Sequence, residues 1–479
     1  MKFPLAPMEK LVQVIADCSS VKLGSHAAHL SVDIETETLV VSEVISKSRR
    51  RIYELSLNDL LFANPKSDSY LAHLGFMAPP KSVRKEFTAG CLFATCNRKR
   101  TKTPLTDRAF VELTLELHTA EDRDIFLNSL NEAVFGSTLV EPSRAFVVIN
   151  PVAGKGSAKS DWTKSVEPLL RLSGKFKIVK ILFTERAGHA YSIGADMLGG
   201  TELDFEYLIT LGGDGILFEL LNGLFKACPD KYSEILSNIV LAPLPSGSGN
   251  GVSFSFLCSS GEPFTMNSAL RQLIRRKTCD KDLGIVHYQS TEDEFQGTSS
   301  SRLFALTISW GLVADVDIHS EFLRNYVGDA RFTLYGLVQV MKKRQYQGHI
   351  RWANGNDGDH ETEPDYITVC ASLVPVAGRS VILNPKKPLN GGTIDIYRLR
   401  WRDVGRIDLI RAMDELAIRR DHQKYIKGFD AIHAKNFELF PDETPQSTGG
   451  AGIVVDGEKI TSGPVRVEVL PRATKCLSG

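Results

Sequence analysis

The chain has 479 residues, 43% hydrophobic and 24% charged, with Lys+Arg and Asp+Glu both at 57. That length predicts two or three domains, and the composition is globular rather than disordered. A net charge of zero lacks the bulk basicity of a general nucleic-acid binder, so no nucleic-acid partner is expected. The eight cysteines contain no CxxC pair, so neither a zinc ribbon nor a redox motif is indicated; reduced thiols in a cytoplasmic setting fit best.

Residues 1–140 form the first predicted unit. Strand-like segments at His29–Asp33, Thr38–Ile45, Arg51–Leu55, Glu86–Thr95 and Phe110–Leu117 precede a helical pattern over Ala120–Phe135, where Ile125, Phe126, Leu130, Ala133 and Val134 recur at helical spacing. Short strands closed by one amphipathic helix resemble a pleckstrin-homology-like β-barrel. The basic cluster Arg98, Lys99, Arg100 and Lys102 lies between two of these strands, either as a solvated hairpin tip or facing anionic headgroups.

Pro142-Ser143 marks a boundary, and residues 143–278 then alternate strand, loop and helix. Apolar strands are expected at Ala145–Ile149, Ile178–Phe183, Tyr207–Thr210 and Ile239–Leu244. Each runs into a polar, mostly glycine-rich segment: Asn150–Ser157, Thr184–His189, Leu211–Gly215 and Pro245–Gly251. This pattern predicts a three-layer lobe with a parallel sheet, whose ligands bind beyond the C-terminal strand ends. Residues 279–479 carry further strand-like runs at Asp282–Tyr288, Arg302–Ser309, His349–Trp352, Tyr366–Leu373, Thr393–Arg398, Phe437–Phe440, Gly452–Val455 and Pro464–Val469. Helical stretches interrupt them at Phe332–Arg344 and Trp401–Ala417, which reads as a β-sandwich lobe. The longest apolar stretch, Leu303–Ala314, is too short to span a bilayer. Met1-Lys2-Phe3-Pro4 leads into no signal-peptide core, and Cys476-Leu477-Ser478-Gly479 reads as an ordinary tail.

No single named nucleotide motif is present. Lys159-Ser160 follows Ala158 where a Walker A loop needs glycine, and Val252 stands where the dinucleotide fingerprint needs its last glycine. The combination is more telling. Gly154, Gly156, Gly212, Gly213, Gly215, Gly247, Gly249 and Gly251 lie at neighbouring strand ends, where backbone N–H groups can surround a triphosphate, with Lys155 and Ser157 adding charge and a hydroxyl. Asp214 alone would be a helix cap; among three such loops it reads as the base that orients an attacking hydroxyl.

The stretches "VVINPVAGKGSA", "LGGDGILFELLNGL" and "LPSGSGNGV", in that order, resemble the diacylglycerol-kinase-like lipid kinase superfamily. "SRLFALTISWGLVADVDIHSEFLRNYVGDARFTLYGL" and the late "VVDGE" are similar to the sphingosine kinases within it. The resemblance covers about residues 144–475. It implies ATP in a cleft between an α/β lobe and a β-sandwich lobe, a magnesium requirement with ligands unknown, and phosphorylation of a sphingoid base. Asp214 then matches the general base. Asn150, Gly154, Gly156, Thr184, Glu185, Gly247, Ser248, Gly249, Asn250, Glu219, Arg324, Arg331, Asp456 and Glu458 match the nucleotide site. Asp317 matches the carboxylate for the sphingoid ammonium, with Asp315 as its rival. Trp310, Leu312, Val313, Phe332 and Leu334 are tail-pocket candidates whose alternative is ordinary core. A ceramide or diacylglycerol kinase and an inactive lipid-sensing module are the competing functions. The substrate implies peripheral contact with membranes from the cytoplasm; whether two copies pair as a homodimer is left open.

Overall fold

The computed structural model describes residues 21–23, 26–33, 37–45, 48–66, 71–78, 109–117, 119–135, 141–197, 204–289, 299–320, 330–354, 357–361, 365–416, 422, 426–442 and 452–479. It divides into two compact units: residues 1–143 with 163–177 and 265–275, and residues 144–162 with 178–264 and 276–479.

The first unit carries β1 (Val21–Leu23), β2 (His26–Asp33), β3 (Thr38–Ile45), β4 (Ser48–Ser56), β5 (Leu60–Lys66), β6 (Leu71–Ala78), β7 (Ala109–Glu116) and α1 (Ala120–Phe135). The strands form one seven-stranded sheet in the order β4-β3-β2-β1-β7-β6-β5. Alternation places Leu113 and Leu115 on the face that buries Leu30, Leu39, Leu74 and Phe76, and α1 covers that face with Phe126, Leu127 and Leu130. The expected strands at 38–45 and 110–117 and the helix at 120–135 are present. Strands β5 and β6 escaped the sequence pattern because Asn64, Pro65, His73 and Gly75 interrupt their apolar runs. The segment 86–95 and the basic cluster at 98–102 lie outside the described residues. Two later helices belong to this compact unit by contact: α2 (Glu167–Ser173) and α7 (Met266–Arg275), from which Arg271 pairs with Asp59 at 3.2 Å.

The second unit begins with β8 (Ser143–Ile149), β9 (Phe176–Phe183), α3 (His189–Asp196), β10 (Tyr207–Gly212), α4 (Asp214–Ala227), α5 (Tyr232–Ser237), β11 (Val240–Pro245) and α6 (Gly251–Ser259). Every residue of β10 is buried, as expected for a strand covered on both faces. β10 pairs in parallel with β8 and with β11. Its register sets Leu211 beside Ile149 and Leu244, and Gly212 beside Pro245. Three strands therefore end at one level, and the loops after them emerge side by side.

The chain continues through β12 (Thr278–Gln289), β13 (Ser299–Phe304), β14 (Thr307–Gly311), α8 (Leu312–His319), α9 (Ala330–Lys342), β15 (Gly348–Asn354), β16 (Asp357–Glu361), β17 (Tyr366–Ser372), β18 (Val376–Gly378), β19 (Val381–Ile382), β20 (Ile394–Arg400), α10 (Arg406–Glu415), β21 (Asp430–Ala434), β22 (Asn436–Pro441), β23 (Ile453–Val455), β24 (Glu458–Thr461) and β25 (Val465–Leu477). A six-stranded sheet runs β21-β20-β17-β14-β23-β24. Apart from β18 and β19, which pair only with each other, the other strands of this half do not form a separate sheet. They extend the parallel one into a ten-stranded sheet through β25. Val465 to Leu477 pairs antiparallel with β12, and its last turn of chain pairs in parallel with β11, Lys475 beside Val240 and Cys476 beside Leu241. The expected ordinary tail is thus a sheet strand, and Cys476 is fully buried in it. Asp282 fixes the path of β25: its carboxylate accepts the N–H groups of Arg472 at 2.8 Å and Gly392 at 2.6 Å. The fold is mixed α/β around a sheet with a parallel centre.

Candidate active site

The third loop packs directly on the second. A Cβ built on Gly247 would lie 2.3 Å from the backbone nitrogen of Gly213, so only glycine permits this approach. Asn250 ties the third loop to itself, accepting the Gly247 N–H at 2.9 Å and donating to the Gly247 carbonyl at 2.6 Å. Gly249 gives its carbonyl to the Asp214 N–H at 2.9 Å. On the other side, Asn150 donates its backbone N–H to the Leu211 carbonyl and accepts the Val152 N–H on its side-chain oxygen at 3.2 Å. Gly154 and Gly156 follow with φ of 58° and 85°, and the side chain of Lys155 lies outside the described set. Thr184 joins the group through its N–H to the Ile149 carbonyl at 2.9 Å; Glu185 next to it is exposed.

Asp161 locks the first loop to the third. Its Oδ2 accepts the hydroxyls of Ser157 at 3.0 Å and Ser246 at 2.9 Å. Sequence reasoning passed over it because it stands outside every glycine-rich segment; its spacing of four from Ser157 on one helical turn was the available signal.

Asp214 opens α4, and its carboxylate also reaches the N-terminus of α6. Oδ2 accepts the N–H of Gly251 at 2.7 Å and Oδ1 that of Val252 at 3.0 Å. Two helix N-termini therefore face one carboxylate. The residue keeps part of its surface open, yet burial of the carboxyl group dominates and pushes its pKa up to about 6, against the pull of the two backbone bonds.

A second carboxylate is seated in the same way. Asp456 and Gly457 are the two central residues of the β23–β24 hairpin, with φ of 49° and 90°, as a type I′ turn requires. The turn aims Asp456 inward, where it accepts the N–H groups of Ala305 at 2.7 Å, Leu306 at 2.9 Å and Thr307 at 2.9 Å. Burial raises this group to about 6 as well, three backbone bonds oppose the rise, and the charge on Asp214 adds to it. Asp456 thus senses the charge on Asp214. Under the Asp456 seat, the fully buried Lys281 donates from Nζ to the Ala305 carbonyl at 2.9 Å and the Asp282 carbonyl at 3.0 Å. Glu458 is exposed, with its Oε1 3.9 Å from the position of a Cβ on Gly215.

Some expected residues stand elsewhere. Glu219 accepts the Tyr191 N–H in the first turn of α3, just after the 184–188 segment, at 3.3 Å. Gly215 and Ser248 are partly open among the loops. Arg324 lies outside the described residues; Arg331 and Phe332 are in α9, with undescribed side chains. Trp310 is buried in contact with Tyr346 and Tyr366, edge to face. Leu312 is half-buried against a cluster of Val340, Ile367, Leu399, Val404 and Leu409, and Val313 donates its N–H to Thr368 at 3.3 Å. Leu334 is exposed.

Helix α8 separates the two rival acids, because positions i and i+2 face apart. Asp315 is wholly buried: Oδ2 accepts the Tyr346 hydroxyl at 2.6 Å, Arg344 stands 3.8 Å away, and Oδ1 has no hydrogen-bond partner. Burial raises its pKa. Asp317 is half-buried on the other side and close enough to Cys370 for its charge to add to the rise that burial imposes on that thiol.

The family of the diacylglycerol kinase catalytic domain matches residues 144–286. Human sphingosine kinase 1 is 32% identical over 375 residues, 71% of this chain and 92% of that protein. Sphingosine kinase 1 of Arabidopsis thaliana is 26% identical over 367 residues, 68% of this chain and 70% of that one. The match to the rat sphingosine kinase 1 spans about half of that protein, 53%. A solved structure of a Bacillus anthracis protein described as a diacylglycerol kinase shares the fold, with a TM-score of 0.51 at 18% identity, covering 71% of this chain and 97% of that one.

Proposed function

The chain belongs to the sphingosine kinase family, with a catalytic domain of the diacylglycerol kinase type, and we propose that it transfers the terminal phosphoryl group of ATP to the primary hydroxyl of sphingoid long-chain bases. The observation that carries this reading is the bidentate seat of Asp214 beside three converging loops. A carboxylate has about four lone-pair sites, so two backbone donors still leave it able to accept a proton. Its raised pKa suits a base working near neutrality: ionised above about 6, yet basic enough to draw on a hydroxyl as the oxygen attacks.

In this reading the backbone N–H groups of the first and third loops, with Lys155, Ser248, Arg324 and Arg331, hold the phosphates. Thr184 and Glu185 border the nucleotide, and Glu219 supports it by fixing the start of α3. Among the described residues no group of three or more His, Cys, Asp or Glu is placed to hold a metal alone. Magnesium fits here as a phosphate-bound ion, which takes one or two carboxylates and water, and Glu458 is the carboxylate at hand. When bound it would neutralise charge on the phosphate oxygens. Asp456 sets the position of residues 305–307 and the field at Asp214.

Asp317 is proposed as the partner of the sphingoid ammonium. It retains exposure, whereas Asp315 is committed to Tyr346. A neutral ceramide or diacylglycerol offers no cation to such a group. Leu312 and Val313 are assigned to the tail beside it, with Phe332 and Leu334 of α9 as further tail residues. Trp310 acts from the wall behind. We read the first unit as pleckstrin-homology-like and the strands after 279 as a β-sandwich-like lobe.

A peripheral membrane surface is proposed on α9, where Leu334, Leu337, Val338 and Met341 are exposed at 48%, 39%, 46% and 62%. These positions follow the i, i+3, i+4, i+7 pattern of one helix face. No helix among the described residues is long and apolar enough to cross a membrane. A lone stripe of this kind suits insertion at the headgroup boundary.

Phosphate transfer from labelled ATP to sphinganine, ceramide and diacylglycerol tests the assignment; sphinganine should dominate, and equal turnover of the neutral lipids would remove it. Asp214→Asn should lower kcat by about three orders of magnitude or more while ATP binding persists, and retained turnover would take the base role from it. Asp317→Asn should raise KM for sphinganine about tenfold or more with KM for ATP unchanged, whereas the same pattern in Asp315→Asn alone would transfer the role. The double variant Leu337→Asp/Val338→Asp should lose cosedimentation with vesicles; undiminished binding would discard the α9 surface.

A further inference from the structure

The C-terminal strand places two cysteines, far apart in sequence, against each other. Cys279 in β12 and Cys476 in β25 are direct cross-strand partners in the antiparallel register. Their sulfurs are 3.5 Å apart in a thiol–thiol hydrogen bond. Directly opposed residues of antiparallel strands have Cα atoms about 4.5 or 5.5 Å apart, and both spacings fall inside the range that a disulfide spans without backbone movement. Cys279 is half-buried, so a small reagent can reach it, whereas Cys476 is enclosed.

We propose that Cys279 and Cys476 are a reversible dithiol–disulfide pair, oxidised by hydroperoxides, that staples the C-terminal strand into the sheet. The Cys279 sulfur attacks the peroxide oxygen and becomes a sulfenic acid, releasing water from hydrogen peroxide or an alcohol from an organic hydroperoxide. The Cys476 sulfur then attacks the sulfenic sulfur. The S–S bond forms, the S–O bond breaks, and the hydroxyl leaves as a second water with the Cys476 proton. Two thiols are oxidised by two electrons and one peroxide O–O bond is reduced. A thiol restores the pair by exchange.

The surroundings favour Cys279 as the attacking group. The hydrogen bond from Cys476 holds its thiol below the usual range; burial and Asp280 oppose this, and the buried Lys281 ammonium adds to the lowering. The same bond and burial raise Cys476. Thiolate character at the more exposed sulfur and a neutral resolving thiol beside it are the arrangement of a peroxide-sensitive pair.

The position gives the bond a mechanical effect. Cys476 also lies in the stretch that pairs in parallel with Leu241 of β11, and β11 leads into the third loop. A covalent tie at 279–476 therefore holds the strand that joins the parallel centre of the sheet to its antiparallel extension. It closes a loop of 197 residues, which restricts the unfolded chain strongly.

The full chain, reduced and then exposed to one equivalent of hydrogen peroxide, is blocked with an alkylating reagent, digested and examined by mass spectrometry. The expected result is a linked peptide joining Cys279 to Cys476, lighter than the sum of its parts by two hydrogen atoms and lost on treatment with dithiothreitol. The oxidised chain should melt at a higher temperature than the reduced chain, and Cys279→Ser should show neither the link nor the rise. Full alkylation of both cysteines after peroxide, or a Cys279 link to a different cysteine, would overturn the proposal. An equal melting temperature for linked and reduced chains would overturn the staple.

Discussion

The bond pair from the N-terminus of α6 to Asp214 is the constraint on which the site depends. Gly251 and Val252 would otherwise leave two helix N–H groups without partners, and Asp214 would be an enclosed carboxylate facing Gly249. Each solves the other's problem. Burial still outweighs the bonds, so the acid rests with a pKa raised to about 6 instead of falling below its ordinary range. Because the two donors occupy both oxygens, the carboxylate has one orientation. The loops are built to protect that orientation: Gly247 lies against Gly213, and Asp161 joins Ser157 to Ser246.

Asp456 repeats the device from the other half of the second unit. Three consecutive peptide N–H groups receive it, and Lys281 holds the Ala305 carbonyl of the same run. A buried cation under a loop that grips an acid is a costly arrangement, since each charge gives up hydration. Its effect is to link β12, the 305–307 turn and the β23–β24 hairpin to the Asp214 side of the site. β25 makes the same connection through the backbone, pairing with β12 at both ends of its length, with β22 near its start and with β11 near its end.

The parallel centre was legible in the sequence because β8, β10 and β11 are almost wholly buried and each ends in a change from apolar to glycine-rich. The place of Asp214 was legible for the same reason: an acid among strand-end glycines is conspicuous. The sequence could not disclose what Asp214 touches, since Gly251 and Val252 come from a later loop and donate only backbone groups. Asp161 was hidden because its only local signal, the spacing of four from Ser157, is common on helices, and Ser246 comes from a remote loop. The tail 470–477 was missed because Pro471, Arg472, Lys475 and the final Ser-Gly obscure a strand whose partners are remote in sequence. Arg302–Ser309 read as one strand, yet the turn at Ala305-Leu306 splits it into β13 and β14 so that its N–H groups can face Asp456. "VVDGE" carried the Asp-Gly hairpin signal openly, but not the direction in which the turn would aim its acid.

The central claim is that Asp214, seated by α6, is ionised above about pH 6 and takes the proton. The pH dependence of kcat for phosphate transfer to sphinganine tests it most directly, compared between the wild-type chain and Asp456→Asn. A carboxylate base with a raised pKa is active when deprotonated, so turnover should be level above that value and fall as pH drops through it. The acid limb should persist in Asp456→Asn, moved to lower pH by loss of the neighbouring charge. Turnover that stays constant in the wild-type chain as pH falls through about 6 would contradict the account, as would a limb that vanishes with Asp456.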